Sequence, residues 1–119
     1  MSYALLMIEP IEQRRERGLE AGQQVYQRML DFAAELQARG VLQATQSLAG
    51  HGDAKRLQVR NGQRSVVDGP FAETKEMVGG FFLLKDVTEA EALEIAAACP
   101  AAEWCTVEIR ALGPCFERP

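Results

Sequence analysis

Six consecutive residues near the start of the chain, Tyr3-Ala4-Leu5-Leu6-Met7-Ile8, are all apolar or aromatic. Side chains on a strand alternate between its faces, so Tyr3, Leu5 and Met7 oppose Ala4, Leu6 and Ile8. Neither set gives water a polar face. Such a strand belongs at the centre of a sheet covered on both sides. Pro10 ends the run.

The rest of the chain supplies only two helical patterns to do the covering. Over residues 19–39, Val25, Tyr26, Met29, Phe32, Ala33 and Leu36 recur at three- and four-residue steps and form one apolar stripe, and Gly40 provides a left-handed stop. Residues 11–18 lead into this helix. Their arginines, Arg14, Arg15 and Arg17, are interleaved with Glu12, Glu16 and Glu20, which reads as a solvated helix start. The second helix begins at Thr88-Glu89-Ala90-Glu91, a capping box, and runs to about Cys99 with Leu93, Ala96 and Ala97 on one side. Pro100 closes it.

Further strand patterns lie at residues 41–48, 55–60, 63–67, 81–84 and 104–112. Asn61-Gly62 joins two of them. Asn-Gly between alternating runs is the strongest short hairpin signal, because a type I′ turn needs positive φ at both central residues. Residues 72–77 read as a short polar segment with one helical turn. The order strand, helix, strand, hairpin, strand, helix, strand describes one α+β domain spanning residues 1–119, of ferredoxin-like βαββαβ outline with an added β-hairpin. Two helices cover one face of a four- or five-stranded sheet. A second copy packing sheet to sheet is the simple cover for the other, so an isologous homodimer with a shared central barrel is expected.

Charged residues make up 25% of the chain, apolar ones 47%, and the net charge is −4. These are ordinary globular proportions. A mildly acidic surface repels phosphate backbones, so no nucleic-acid partner is expected. The opening apolar run is too short for a signal-peptide core or a membrane span, so no membrane partner and a cytoplasmic location are the expectations. Cys99, Cys105 and Cys115 are odd in number and lack CxxC spacing; they read as free thiols, the first two as packing residues. No metal-ligand spacing, phosphate-binding glycine loop or Gly-x-Ser-x-Gly elbow appears, and no cofactor is expected.

The stretch Asp68-Gly69-Pro70-Phe71-Ala72-Glu73-Thr74-Lys75-Glu76, followed by Gly79-Gly80-Phe81, resembles the signature of the DGPF domain, a family grouped with the YciI-like proteins. The opening run at residues 3–8 and the ending Pro100-Ala101-Ala102 and Val107-Glu108-Ile109-Arg110 are similar to the family's first and last strands. The resemblance implies a dimeric α+β barrel. Relatives of this fold include small monooxygenases, a dehydrochlorinase-like branch and stress-associated proteins. Many members are encoded beside, or fused to, extracytoplasmic-function sigma factors, which implies a sigma-factor-linked system as a partner. YciI-like proteins use a histidine–aspartate pair near the sheet. This chain departs from that pattern, because its one histidine, His51, lies in a Gly-flanked loop outside the signature.

The signature also holds the candidate site. Asp68 reads in two ways: a turn residue whose oxygens accept backbone N–H groups, or a carboxylate lining a cleft and acting as general base. Phe71 plugs a core or dimer seam, or stacks on a ligand. Thr74, Lys75 and Glu76 set a hydroxyl, a cation and an acid side by side, although consecutive residues on a helical turn do not face one pocket. Lys75 pairs with Asp68 or attracts an anion. Gly79-Gly80 permits close backbone approach or a bulge. His51 reads as a plain exposed loop residue or, as an imidazole can, as a base. Glu108 and Arg110 share one face of the last strand. Two functions follow: a ligand-binding or regulatory accessory dimer, and a small cofactor-independent enzyme acting on an organic molecule with Asp68 as its acid–base group.

Overall fold

The structure is a computed structural model and describes residues 1–117. It contains β1 (Tyr3–Pro10), α1 (Gln13–Arg17), α2 (Leu19–Ala38), β2 (Leu42–Ser47), β3 (Lys55–Arg60), β4 (Gln63–Asp68), β5 (Glu76–Leu84), α3 (Glu89–Ala98) and β6 (Thr106–Ala111), with 3₁₀ turns at His51–Asp53 and Pro100–Glu103. The main sheet has the order β2-β5-β1-β6, with every neighbouring pair antiparallel. β1 takes an inner position, as its doubly apolar sequence requires. Two crossover helices and this strand order make the domain α+β with a ferredoxin-like plan. No helix among the described residues is long and apolar enough to cross a membrane.

The helices lie on one side of the sheet. Tyr3, Leu5 and Met7 of β1, with Phe82 and Leu84 of β5, pack against Phe32 and Leu36 of α2 and against Ala92, Ile95 and Ala96 of α3. Leu5, Leu36 and Leu84 are fully buried, each stabilising the fold by roughly 1.5–3 kcal/mol. The Phe32 and Phe82 rings meet edge to face, centroids 5.5 Å apart. On the opposite side of the sheet, Leu6 stands across from Phe81 and Ala4 across from Leu83. Leu6, Ile8, Phe81 and Leu83 are only half-buried there.

Several elements differ from the sequence reading. The polar lead-in to the long helix is a separate one, α1, broken from α2 at Gly18, whose φ is 82°. The segment read as carrying a helical turn at residues 72–77 instead opens β5 at Glu76, and Met77 pairs with Glu9. Tertiary pairing with β1 outweighs local polarity there. α3 buries Ala92, Ile95 and Ala96 while Leu93 and Ala97 stay exposed, so its apolar stripe is rotated from the expected one. The Thr88–Glu91 capping box forms in both directions, with Glu91 N donating to Thr88 Oγ1 at 3.1 Å and Thr88 N to Glu91 Oε1 at 3.0 Å.

β3 and β4 form a hairpin outside the main sheet, and every residue of both strands is exposed. Asn61 (φ 53°) and Gly62 (φ 74°) make its tip with the left-handed pair that the sequence predicts. The radius of gyration is 16.3 Å, whereas a compact domain of this length has about 13.5 Å. The projecting hairpin accounts for the difference in sense.

Candidate functional site

Glu9 continues the inward phase of Tyr3, Leu5 and Met7, so β1 carries its carboxylate onto the helix side of the sheet. Only 7% of Glu9 is exposed, the one charged residue buried among those described. An unpaired buried carboxylate is costly, and Arg14 of α1 answers it. Arg14 Nε donates to Glu9 Oε1 at 2.5 Å, Nη1 to the Leu48 carbonyl at 2.7 Å and Nη2 to the Gly79 carbonyl at 3.1 Å. A single guanidinium thus ties together β1, the end of β2 and the bulge in β5. Arg14 is therefore not the solvated residue that its charged neighbours in sequence suggest.

Gly79 makes this possible. A Cβ there would lie 2.3 Å from Glu9 Oε2 and 2.8 Å from Arg14 Nη2, so any side chain would displace the pair. The register of β1 on β5 shifts at the same point, with Met7 opposite Gly80 and Ile8 opposite Val78. Both expectations for Gly79-Gly80, close approach and a bulge, hold.

The Glu9–Arg14 pair borders a cavity of about 730 Å³ between the sheet and α2. Met7, Val25, Met29, Phe82 and Trp104 give it apolar walls. Leu19, Tyr26 and Leu30, exposed on α2, also line it. Cys105 lines the same space. Burial, reinforced by the Glu9 charge, pushes its thiol up to about 11, so it is protonated and a poor nucleophile at neutral pH. The volume and mostly apolar lining suit a small organic molecule.

The signature residues lie elsewhere, at the root of the hairpin. Asp68 stands opposite Lys55 in the β3–β4 register and pairs with it at 2.6 Å, both side chains largely exposed. Lys55, not Lys75, is its partner. The backbone turns tightly after it: Gly69 N donates to the Ala54 carbonyl at 2.7 Å, and a Cβ at Gly69 would come 2.1 Å from the His51 carbonyl oxygen. Phe71 lies outside the core. The Arg56 guanidinium stacks over its ring at 3.9 Å, the His51 ring meets it edge-on at 5.7 Å, and Arg56 Nη2 donates to Thr74 Oγ1 at 3.2 Å. Lys55 and Asp68 share one hairpin face and Arg56 takes the other. The Lys75 carbonyl accepts from Ile11 N, and exposed Glu76 begins β5 opposite Pro10.

The structure therefore brings Phe71 and Thr74 together with His51 and Arg56, sets Asp68 on the other hairpin face, and leads Lys75 and Glu76 away toward β1. None of these residues lines the cavity. Glu9 and Arg14 were missed as site residues, although period-two counting from Tyr3 places Glu9 inward. Glu108 and Arg110, which share one face of β6, pair there at 3.5 Å. Among the described residues, no three metal-ligating side chains gather.

No curated protein matches the chain significantly. The model of the YCII-related domain matches residues 1–114, nearly the full length, and the chain accordingly belongs to the YCII-related family.

Proposed function

We propose that this chain is a small homodimeric binding protein whose ligand is a small organic molecule held between α2 and the sheet. The observation that carries the reading is the buried Glu9 carboxylate bordering an otherwise largely apolar cavity of ligand size. A buried ion pair adds little stability over well-packed apolar residues of the same volume, so stability alone is a weak reason to keep one. The proposed second copy covers Leu6, Ile8, Phe81 and Leu83 and leaves the cavity, on the other side of the sheet, open to ligand. A ligand-responsive dimer also suits the sigma-factor-linked role that the family resemblance implies.

The enzyme reading, with Asp68 as acid–base group, draws on the resemblance more than on the site. Asp68 is exposed, paired with Lys55 and outside the cavity. Phe71, Thr74, Lys75 and Glu76 are weaker ligand candidates than the cavity residues for the same reason.

The test uses Gly22, which lines the cavity from α2 and whose Cβ would meet nothing within 4 Å. Gly22→Phe fills part of the space and removes a helix-weakening glycine, so the fold is retained. In a thermal-shift screen of small organic molecules, ligands that stabilise the native chain are expected to lose that effect in Gly22→Phe. Equal stabilisation of both proteins, or no stabilising molecule, overturns the proposal.

A further inference from the structure

Glu9 has two carboxylate oxygens, and Arg14 uses one. Oε1 accepts the Arg14 Nε–H, and Oε2 accepts no hydrogen bond from the described residues. Each Arg14 nitrogen makes one bond: Nε serves Glu9, while Nη1 and Nη2 serve the Leu48 and Gly79 carbonyls, and each Nη keeps a second N–H. The pair is balanced in charge yet leaves one strong acceptor, on a side chain more than nine-tenths buried, at the margin of the cavity.

We infer that the cavity takes a neutral molecule with an apolar, largely aromatic body and one hydroxyl group, which donates its proton to Glu9 Oε2. The inference rests on the ligand-binding reading of the cavity and adds the class of ligand. A ligand donor can take the place of water at this acceptor. An anionic group placed at Oε2 meets the Glu9 carboxylate directly and suffers repulsion and desolvation together; of the other cations lining the cavity, Arg15 is paired with Glu12 and Arg17 lies over the Trp104 ring. An ammonium group reaches Oε2 but brings a third charge to a pair already neutral, and its desolvation is uncompensated. A hydroxyl satisfies the acceptor at the lowest desolvation cost, and hydrogen bonds to a charged partner are the strong ones. Cys105, kept as a neutral thiol, adds no charge. Tyr26, Phe82 and Trp104 offer ring surfaces, and Met7 and Met29 offer sulfur contacts to an aromatic body.

The experiment compares four probes with one ring system: 2-naphthol, naphthalene, 2-naphthoate and 2-naphthylmethylamine, titrated calorimetrically into the native protein at pH 7. Naphthol is expected to bind roughly tenfold or more tightly than each of the others, the value of one charge-assisted hydrogen bond. Its affinity falls as pH rises through naphthol's own pKa, because the naphtholate has no proton to donate; this readout needs no variant. In Glu9→Gln, the advantage of naphthol over naphthalene shrinks to about threefold or less. Preference for naphthoate or the amine, or equal binding of naphthol and naphthalene, overturns the hydroxyl inference and leaves the cavity a ligand site. Absence of binding by all four overturns the inference; if the thermal-shift screen still finds molecules that stabilise the native chain but not Gly22→Phe, the ligand-binding reading survives it.

Discussion

A carboxylate inside a small protein needs an opposite charge within reach, and Glu9 finds it five residues along the chain. Its inward direction is legible in the sequence, since Tyr3, Leu5, Met7 and Glu9 share a phase on one strand. Arg14 is not legible, because three arginines alternate with glutamates and only the fold brings the Leu48 and Gly79 carbonyls to one of them. The same holds at the hairpin root, where Asp68 and Phe71 are conspicuous in sequence but Lys55, Arg56 and His51 are their partners only through strand register and loop path. Cys105 yields a prediction at this scale. Its thiol pKa lies above the ordinary cysteine range, so below that range folded and unfolded chains both hold the proton and its contribution to stability is fully present. Above it the unfolded chain releases a proton that the folded chain keeps. Stability therefore falls with rising pH until the medium passes about 11. Urea denaturation across this alkaline range is expected to show that decline, and Cys105→Ala to lessen it. Cys99, also raised by burial, leaves a residual slope. An unchanged slope in Cys105→Ala refutes the assignment.

Elements were legible where local chemistry and tertiary context agree. The hairpin strands, the Asn61-Gly62 turn, the capping box and the extent of α2 all follow from residues close in sequence. The start of β5 and the buried stripe of α3 do not, because contacts with β1 and the sheet decide them. The hairpin shows the energetic side of this division. Its strands bury almost nothing, so its order depends on ladder hydrogen bonds and on the turn at its tip. Gly62→Ala forces a β-carbon into the left-handed region at a cost of roughly 1 kcal/mol. Hydrogen exchange is expected to accelerate about fivefold at amides of β3 and β4, while the denaturation midpoint of the core stays nearly unchanged. A core midpoint that falls along with the hairpin would show the two to be one cooperative unit.

At the scale of the whole molecule, the helices leave one sheet face without a helical cover. Leu6, Ile8, Phe81 and Leu83 form its apolar centre, while Thr106, Glu108 and Arg110 of β6 make the margin polar. That arrangement, an apolar middle within a polar rim, is the anatomy of a protein interface. The proposed homodimer is therefore expected to sediment at twice the chain mass at micromolar concentration. Leu83→Glu sets a charge in the centre of the seam and should give a monomer with unchanged far-ultraviolet circular dichroism. A native chain that sediments as a monomer removes the dimer from the proposed function.

A β-sheet is a wall one residue thick. Met7 and Phe82 look into the cavity, and their chain neighbours Leu6 and Leu83 look out of the other side. Strain on either surface has a single peptide unit to cross before it reaches the other. Should occupancy of the cavity tilt β1 or β5, the strength of subunit pairing changes by some factor, and pairing must return that same factor to ligand affinity.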